Sequence, residues 1–214
     1  MSYIIGNLMQ GFSSGGWKEQ HNMHHAATNI IGRDSDIDLM PFWAVVPSDL
    51  KVRIHQERAT VERLALLLHW CMVIMQLYYL PTFQIRLIYF FISQLFAGFL
   101  LAHVVTYNHY STLKFKCDDV ICKSYVCLQL YTTRNMKPGI LIDWLWGGLN
   151  YQIEHHLFPT MPRHNLKKVM PLVKEFCMEN NLPYMVNEYF EGWLMEIQQM
   201  AAVAKLAQRI CHQN

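Results

Sequence analysis

Eleven histidines stand in a chain of 214 residues, and five of them fall in two tight clusters. His21, His24 and His25 form HNMHH. His155 and His156 close QIEHH, which Gln152 opens. Both clusters repeat the spacing i, i+3, i+4. On a helix these positions share one face, so the three side chains of a cluster can converge on one point. Neutral imidazole is a ligand for iron, zinc and copper, and the pattern points to a metal site. Zinc-protease chemistry does not fit, since HExxH is absent and Glu154 stands directly before its histidine pair. Structural zinc usually takes cysteine as well, and no cysteine lies near either cluster.

The elements that must position these residues are organised around two apolar runs. Leu64 to Leu80 carries no charge, and only His69 and Gln76 interrupt it; Ile85 to Tyr107 has one charge, Arg86, at its start. Each is within the ~17 to 25 residues that a membrane-spanning helix needs. Pro81-Thr82-Phe83-Gln84 separates them, and proline stops the first helix by removing a donor and clashing with the preceding turn. So short a connection gives an antiparallel helical hairpin. The two histidine clusters flank this hairpin and therefore face the same side of a membrane. Lys51, Arg53, Arg58 and Arg63 precede it, Lys114, Lys116 and Lys123 follow it, and the tip holds only Arg86. The positive-inside rule puts both flanks in the cytoplasm, with Arg86 snorkelling to the far interface.

Composition agrees with a protein partly in a membrane and partly in water. Hydrophobic residues make up 52% and charged residues 16%, where a soluble domain carries about 25% charged. The mean hydropathy of +0.08 leaves room for a substantial water-facing part. A net charge of +2 gives nucleic-acid binding no electrostatic support. The six cysteines include no CxxC and read as free thiols in a reducing compartment. The first residues, MSYIIGNLMQGFSSGG, lack the basic and apolar regions of a signal peptide.

Around the runs, Asp49 to Arg63 reads as a polar amphipathic helix, and Lys137 to Tyr151 as an interfacial segment because of Trp144, Trp146 and Tyr151. Leu166 to Asn180 reads as a helix broken at Pro171, and Glu188 to His212 as a long polar helix with an apolar face. His109, beside Asn108 at the end of the second run, lies where the clusters should meet and is a candidate ligand. His103 and His69 read as hydrogen-bonded core residues, and His55, His164 and His212 as surface. The fold class expected is all-α: an integral membrane protein with one transmembrane helical hairpin and cytoplasmic helices carrying the histidine clusters.

HNMHH preceded by GFSSGGWKEQ, together with WLWGGLNYQIEHHLFPTMPRHNL, resembles the second and third histidine boxes of the membrane fatty acid desaturases. Gln152 in the first place of QIEHH resembles the front-end type, close to the delta-5 and delta-6 enzymes of nematodes and animals. The resemblance runs from Gly11 to about Tyr189. It implies a desaturase domain over residues 1–189 that lacks the first histidine box, with 190–214 as a C-terminal helical tail. It implies a diiron centre with His21, His24, His25, His155 and His156 acting through iron and Gln152 in the first position of the third box. His109, with Asn108, matches the family's Asn-His element after the last membrane helix. The implied activity is oxygen-dependent introduction of a double bond into a polyunsaturated acyl chain, presented as acyl-CoA or phospholipid. Electrons come from NADH through cytochrome b5 and its reductase. The implied place is the endoplasmic reticulum membrane, multi-pass, with the boxes facing the cytosol. Taking hydrogen from an unactivated methylene is chemistry that side chains alone cannot supply, so a cofactor must. Asp34, Asp36 and Asp38 read as loop charges or as partners of metal-bound histidines.

Three departures accompany the resemblance. The chain holds no upstream HxxxH, no His-Pro-Gly-Gly haem motif of a cytochrome b5 domain, and no earlier membrane hairpin. The expectation is a C-terminal portion of a front-end desaturase with reduced or lost activity on its own. Two other readings stand beside it. One is a non-catalytic membrane protein that associates with a full-length desaturase. The other is a hydroxylase built on the same kind of ligand set.

Overall fold

The computed structural model describes residues 14–37 and 60–213, which fall into two compact units. The first unit holds the hairpin. Helix α2 (Thr60–Tyr79) ends before Pro81, and α3 (Phe83–Phe90) follows. The Thr82 hydroxyl accepts from the Ile85 amide at 3.3 Å and caps α3. Arg86 turns back onto the end of the preceding helix. Its Nε donates to the Leu80 carbonyl at 3.0 Å and a terminal nitrogen to the Tyr78 carbonyl at 3.2 Å, so it caps the end of α2. Tyr89 OH donates to Gln76 Oε1 at 3.0 Å and ties the two helices together.

The second apolar run is helical but not one regular helix. A π-helical stretch, Phe91–Phe96, separates α3 from α4 (Ala97–His109). The π turn separates α-helices of 8 and 13 residues, and α2 includes Thr60, Glu62 and Arg63 in its first turn. The expected pair of spanning helices is thus met only as a hairpin. No helix among the described residues is long and apolar enough to cross a membrane.

The second unit carries the histidines. Helix α1 (Ser14–Ala26) delivers its last turn into it. After α4 come a 3-10 turn (Val120–Lys123), α5 (Tyr125–Thr132), β1 (Asn135–Met136), α6 (Ile140–Leu145), α7 (Gln152–Leu157), α8 (Arg163–Glu179), β2 (Val186–Asn187) and α9 (Tyr189–Gln213). The architecture is mainly helical, as expected. The exception is a parallel two-residue pairing of β1 with β2, Asn135 opposite Val186 and Met136 opposite Asn187. Leu130, Ile153, Val173 and Cys177 form a core that packs α5, α7 and α8 together. Tyr107, Met136 and Trp146 form another, lined by Tyr189 and Trp193 of α9. A Cβ at Gly192 would sit 2.3 Å from the Tyr107 ring, so only glycine allows α9 this approach.

Two sequence expectations change here. The segment Lys137 to Tyr151 is not uniformly interfacial: Trp146 and Tyr151 are buried in the core, whereas Ile140, Leu141 and Trp144 are exposed. The cause is the tight turn Gly147-Gly148, both at positive φ, which folds Tyr151 back so that its hydroxyl donates to Asp143 at 3.0 Å. Helix α8 is not broken at Pro171, which lies exposed within a continuous helix. The expected helix over Asp49 to Arg63 lies outside the described residues up to 59, as do His55 and Asp38. Cys71, Cys117, Cys122, Cys127 and Cys177 are free thiols.

Candidate metal centre

The last turn of α1 places His24 and His25 in the buried interior of the second unit, and the chain then reverses. Asn29 takes a left-handed conformation (φ 57°), which asparagine tolerates better than most residues. Its amide nitrogen donates to the carbonyls of His109 (3.0 Å) and Leu113 (3.1 Å) and to Thr112 Oγ1 (2.8 Å). The reversal brings Asp34 back under the helix end. His24 Nδ1–H donates to both carboxylate oxygens at 2.9 Å. The backbone amides of Asn29 (2.7 Å) and Asp36 (2.9 Å) complete the shell of Asp34. Asp34 is fully buried and acts as the partner of a histidine, and Asp36 stands 3.6 Å from the same nitrogen.

Helix α4 ends on His109, and α7 supplies Gln152, His155 and His156. Every residue of α7 from Gln152 to His156 is buried. Glu154 anchors the helix from below, accepting from Tyr184 OH (2.7 Å) and Asn135 Nδ2 (2.8 Å). Asn135 Oδ1 in turn accepts from the Ile153 amide at 2.8 Å. The hydroxyl of Tyr125 donates to the His156 carbonyl.

The imidazoles of His24, His109 and His156 close a triangle with ring centroids 4.6, 4.7 and 4.9 Å apart, and their ligand atoms lie within 4.8 Å of one another. Their outer nitrogens are all committed as donors: His24 to Asp34, His109 to the Thr132 carbonyl (3.2 Å) and His156 to Gln129 Oε1 (2.8 Å). A neutral ring that donates at Nδ1 presents a lone pair at Nε2. Lone pairs therefore point inward. His24 Nε2 and His109 Nε2 face each other at 3.3 Å, an arrangement that needs a shared cation, either a proton or a metal. His156 Nε2 is buried without a hydrogen-bond partner. Such an orphan is costly unless something fills it. Gln152 Nε2 stands 3.0 Å from His109 Nε2, and its Oε1 is also buried without a partner.

A second meeting point lies beside the first. His25 Nε2 and His155 Nε2 are 3.1 Å apart, and the His25 ring stacks on His156 at 4.2 Å. The sequence expectation of one convergence per cluster is therefore replaced by sorting between clusters. His24 joins His156 and His109, whereas His25 joins His155. The reason is that residues i+3 and i+4 sit 100° apart around a helix, so adjacent histidines aim at neighbouring points. His21 lies one turn before His25 on α1 and stacks on Trp17 at 4.4 Å.

Electrostatics keep two of the three rings, His109 and His156, neutral. Burial, then the neighbouring histidines, holds His156 well below its ordinary range. His109 is lowered for the same first reason, then by His24. Burial also pushes His24 down, but the hydrogen bond and charge of Asp34 and the charge of Asp36 outweigh it and raise it overall. Neutral, deprotonated nitrogens are what a metal requires.

His103 stays outside this set. Its Nε2 accepts from Tyr189 OH (2.8 Å) and Trp193 Nε1 (3.1 Å), which fits the reading as a core residue. His164 is exposed. Sequence reasoning missed Gln129, Thr28 and Asn29. The available signal was the polar Gln129 between Leu128 and Leu130 in an apolar run.

Comparison with known proteins bears on the same residues. A family model described as fatty acid desaturase matches residues 39–187. The chain is 48% identical to a Delta(5) fatty acid desaturase of Caenorhabditis elegans, covering 98% of this chain and 57% of that protein. It is 43% identical to a Delta(6)-fatty-acid desaturase of the same organism, over 96% of this chain and 57% of that protein. It is 34% identical to a Delta(8)-fatty-acid desaturase of Euglena gracilis, over 96% of this chain and 60% of that protein. The chain thus spans a little over half the length of these relatives. The alignment with the first runs over 254 positions, more than the 214 residues here, so stretches of that relative have no counterpart in this chain. No solved structure is found to match.

Proposed function

Because the chain belongs to the fatty acid desaturase family, we propose that it is the C-terminal portion of a front-end desaturase, which introduces a double bond into a polyunsaturated acyl chain. The observation that carries this reading is the buried convergence of His24, His109 and His156, each with Nδ1 tied outward and Nε2 turned inward. We assign one iron to these three residues, with Gln152 at its edge. His25 and His155 would hold the second. Bound iron supplies the oxidation by dioxygen that side chains cannot. This chain's residues do the rest. They fix the ring tautomers, hold the nitrogens in place and keep water from the pocket.

Residues 1–189 are read as the desaturase part and 190–214 as a helical tail. The reducing partners are cytochrome b5 and its reductase, and the substrate is an acyl-CoA or a phospholipid. The apolar outward face of the hairpin, with Leu67, Ile74, Tyr78 and Ile88 exposed, supports a seat in a lipid bilayer, which we read from the family resemblance as that of the endoplasmic reticulum. Basic residues on both flanks support cytosolic histidine boxes. The reading as a non-catalytic partner is not favoured, since proteins named as desaturases match nearly the whole chain.

The test is iron content and product analysis of the native protein in membranes supplied with NADH, cytochrome b5, its reductase and a polyunsaturated acyl substrate. Bound iron and a product with one more double bond are expected. A hydroxylated product would replace desaturation by hydroxylation, and a protein without iron would overturn the reading.

A further inference from the structure

Gln129 sits in α5, outside both histidine clusters, and is fully buried. Its amide touches one member of each meeting point. Nε2 donates to the His25 carbonyl at 3.0 Å, which fixes the orientation of the amide. Oε1 must then face the other way, where it accepts from Thr28 Oγ1 at 2.9 Å and from His156 Nδ1 at 2.8 Å. Each contact has a consequence. The His25 carbonyl belongs to the last turn of α1, where carbonyls lack a partner within the helix, and Gln129 supplies one. An acceptor at His156 Nδ1 puts the ring proton there and leaves Nε2 as the lone pair. His25 and His156 are also the stacked pair, 4.2 Å apart.

We propose that Gln129 is a positioning residue that couples the two halves of the metal centre. One amide holds the backbone of His25 and the tautomer of His156, and so fixes the spacing between the two metal positions. An apolar residue at 129 would free His156 to carry its proton on Nε2, where it blocks a ligand site, and would leave the His25 carbonyl buried without a donor. This inference rests on His25 and His156 being ligands.

The test uses the full chain in lipid nanodiscs with cobalt(II) alone as the probe. Cobalt's visible absorption reports ligand number and geometry, and no turnover is needed. Gln129→Met keeps the length of the side chain and removes its donor and acceptor. A drop of about 10–100-fold in cobalt affinity is expected, the usual effect of losing such a partner, together with an altered visible spectrum. Gln129→Glu returns an oxygen toward His156 and should bring the spectrum back toward that of the unaltered chain. Leu130→Ala, a core truncation on the same helix, should lower the melting temperature and leave the cobalt spectrum unchanged. If Gln129→Met behaves like Leu130→Ala, the coupling role is overturned while the metal centre stands. If Gln129→Met does not fold, Gln129→Glu decides: it keeps an oxygen at His156 but loses the donor to the His25 carbonyl, so an affinity and spectrum identical to those of the unaltered chain overturn the coupling role. If the unaltered chain binds no cobalt, the metal centre and this proposal fall together.

Discussion

In the hairpin of α2 and α3, large apolar side chains face outward: Leu67, Ile74, Met75, Tyr78, Tyr79 and Ile88 are all exposed. In the histidine-bearing unit the deeply buried positions include His24, Asn29, Asp34, Gln129, Glu154 and His156. The two regions invert the polarity of an ordinary domain in opposite ways. Leaving apolar area in water forfeits about 25 cal/mol per Å², so an outward apolar face implies a neighbour that is not water. Burying polar groups is costly unless each finds a partner, so a buried polar cluster is either hydrogen-bonded throughout or waiting for a ligand. In the histidine unit the outer nitrogens of His24, His109 and His156 are paired, and their inner ones converge on each other.

The largest break comes at the inward nitrogens. His156→Ala should abolish metal binding and desaturation while the protein still inserts into membranes, read by iron per chain after membrane extraction. Normal iron content would show that the triangle of His24, His109 and His156 is not a ligand set. The hairpin is probed by Ile74→Arg. If that face meets lipid, an arginine near mid-span costs ~2.5–3.5 kcal/mol and lowers the inserted fraction in a glycosylation-tag assay. An unchanged inserted fraction would mean the face is covered by something other than the bilayer.

A smaller effect is expected for Asp34→Asn, which keeps the shape at His24 and removes the charge that favours its Nδ1–H. Cobalt affinity should fall about tenfold, at the lower end of such losses. An unchanged affinity would reduce Asp34 to a loop strut. The smallest effect is a pH dependence away from the metal. Burial pushes the Glu196 carboxyl up to about 7, and Thr106, Arg134 and Lys114 draw it back only in part. A carboxyl raised on folding adds stability below its unfolded value, and that contribution is lost as pH rises through about 7. Glu196→Gln should remove on the order of 2 kcal/mol of the stability lost between pH 5 and 7, read as a flatter profile of melting temperature against pH. An unaltered pH profile would rule Glu196 out as its source.

Much of the site was legible from residue type and spacing. The i, i+3, i+4 histidines announce themselves, because helical periodicity turns sequence intervals into shared faces. His109 was reachable too, since it follows an apolar run whose end falls near both clusters. The partners were harder. Asp34 lies ten residues from His24, and only the left-handed turn at Asn29 brings it back. Gln129 is a lone amide in an apolar stretch, and nothing local distinguishes a buried hydrogen-bonding role from an exposed one. In the fold, the hairpin turn was readable from Pro81, but the π-helical stretch at Phe91–Phe96 was not. Trp146 and Tyr151 read as interfacial from the sequence alone because aromatic residues serve interfaces and cores alike, and the Gly147-Gly148 turn decides between them.

The sequence by itself determined the chemistry available: imidazoles in helical register, an apolar hairpin and the family they belong to. These follow from side-chain type and from intervals short enough for local geometry to govern. Tertiary structure alone decided which histidine meets which. It paired His24 with His109 and His156, and His25 with His155, across separations of 85 and more residues. It also chose Gln129 to join the two groups. Those choices depend on how α1, α4, α5 and α7 pack, and a packing arrangement is set by many distant contacts at once.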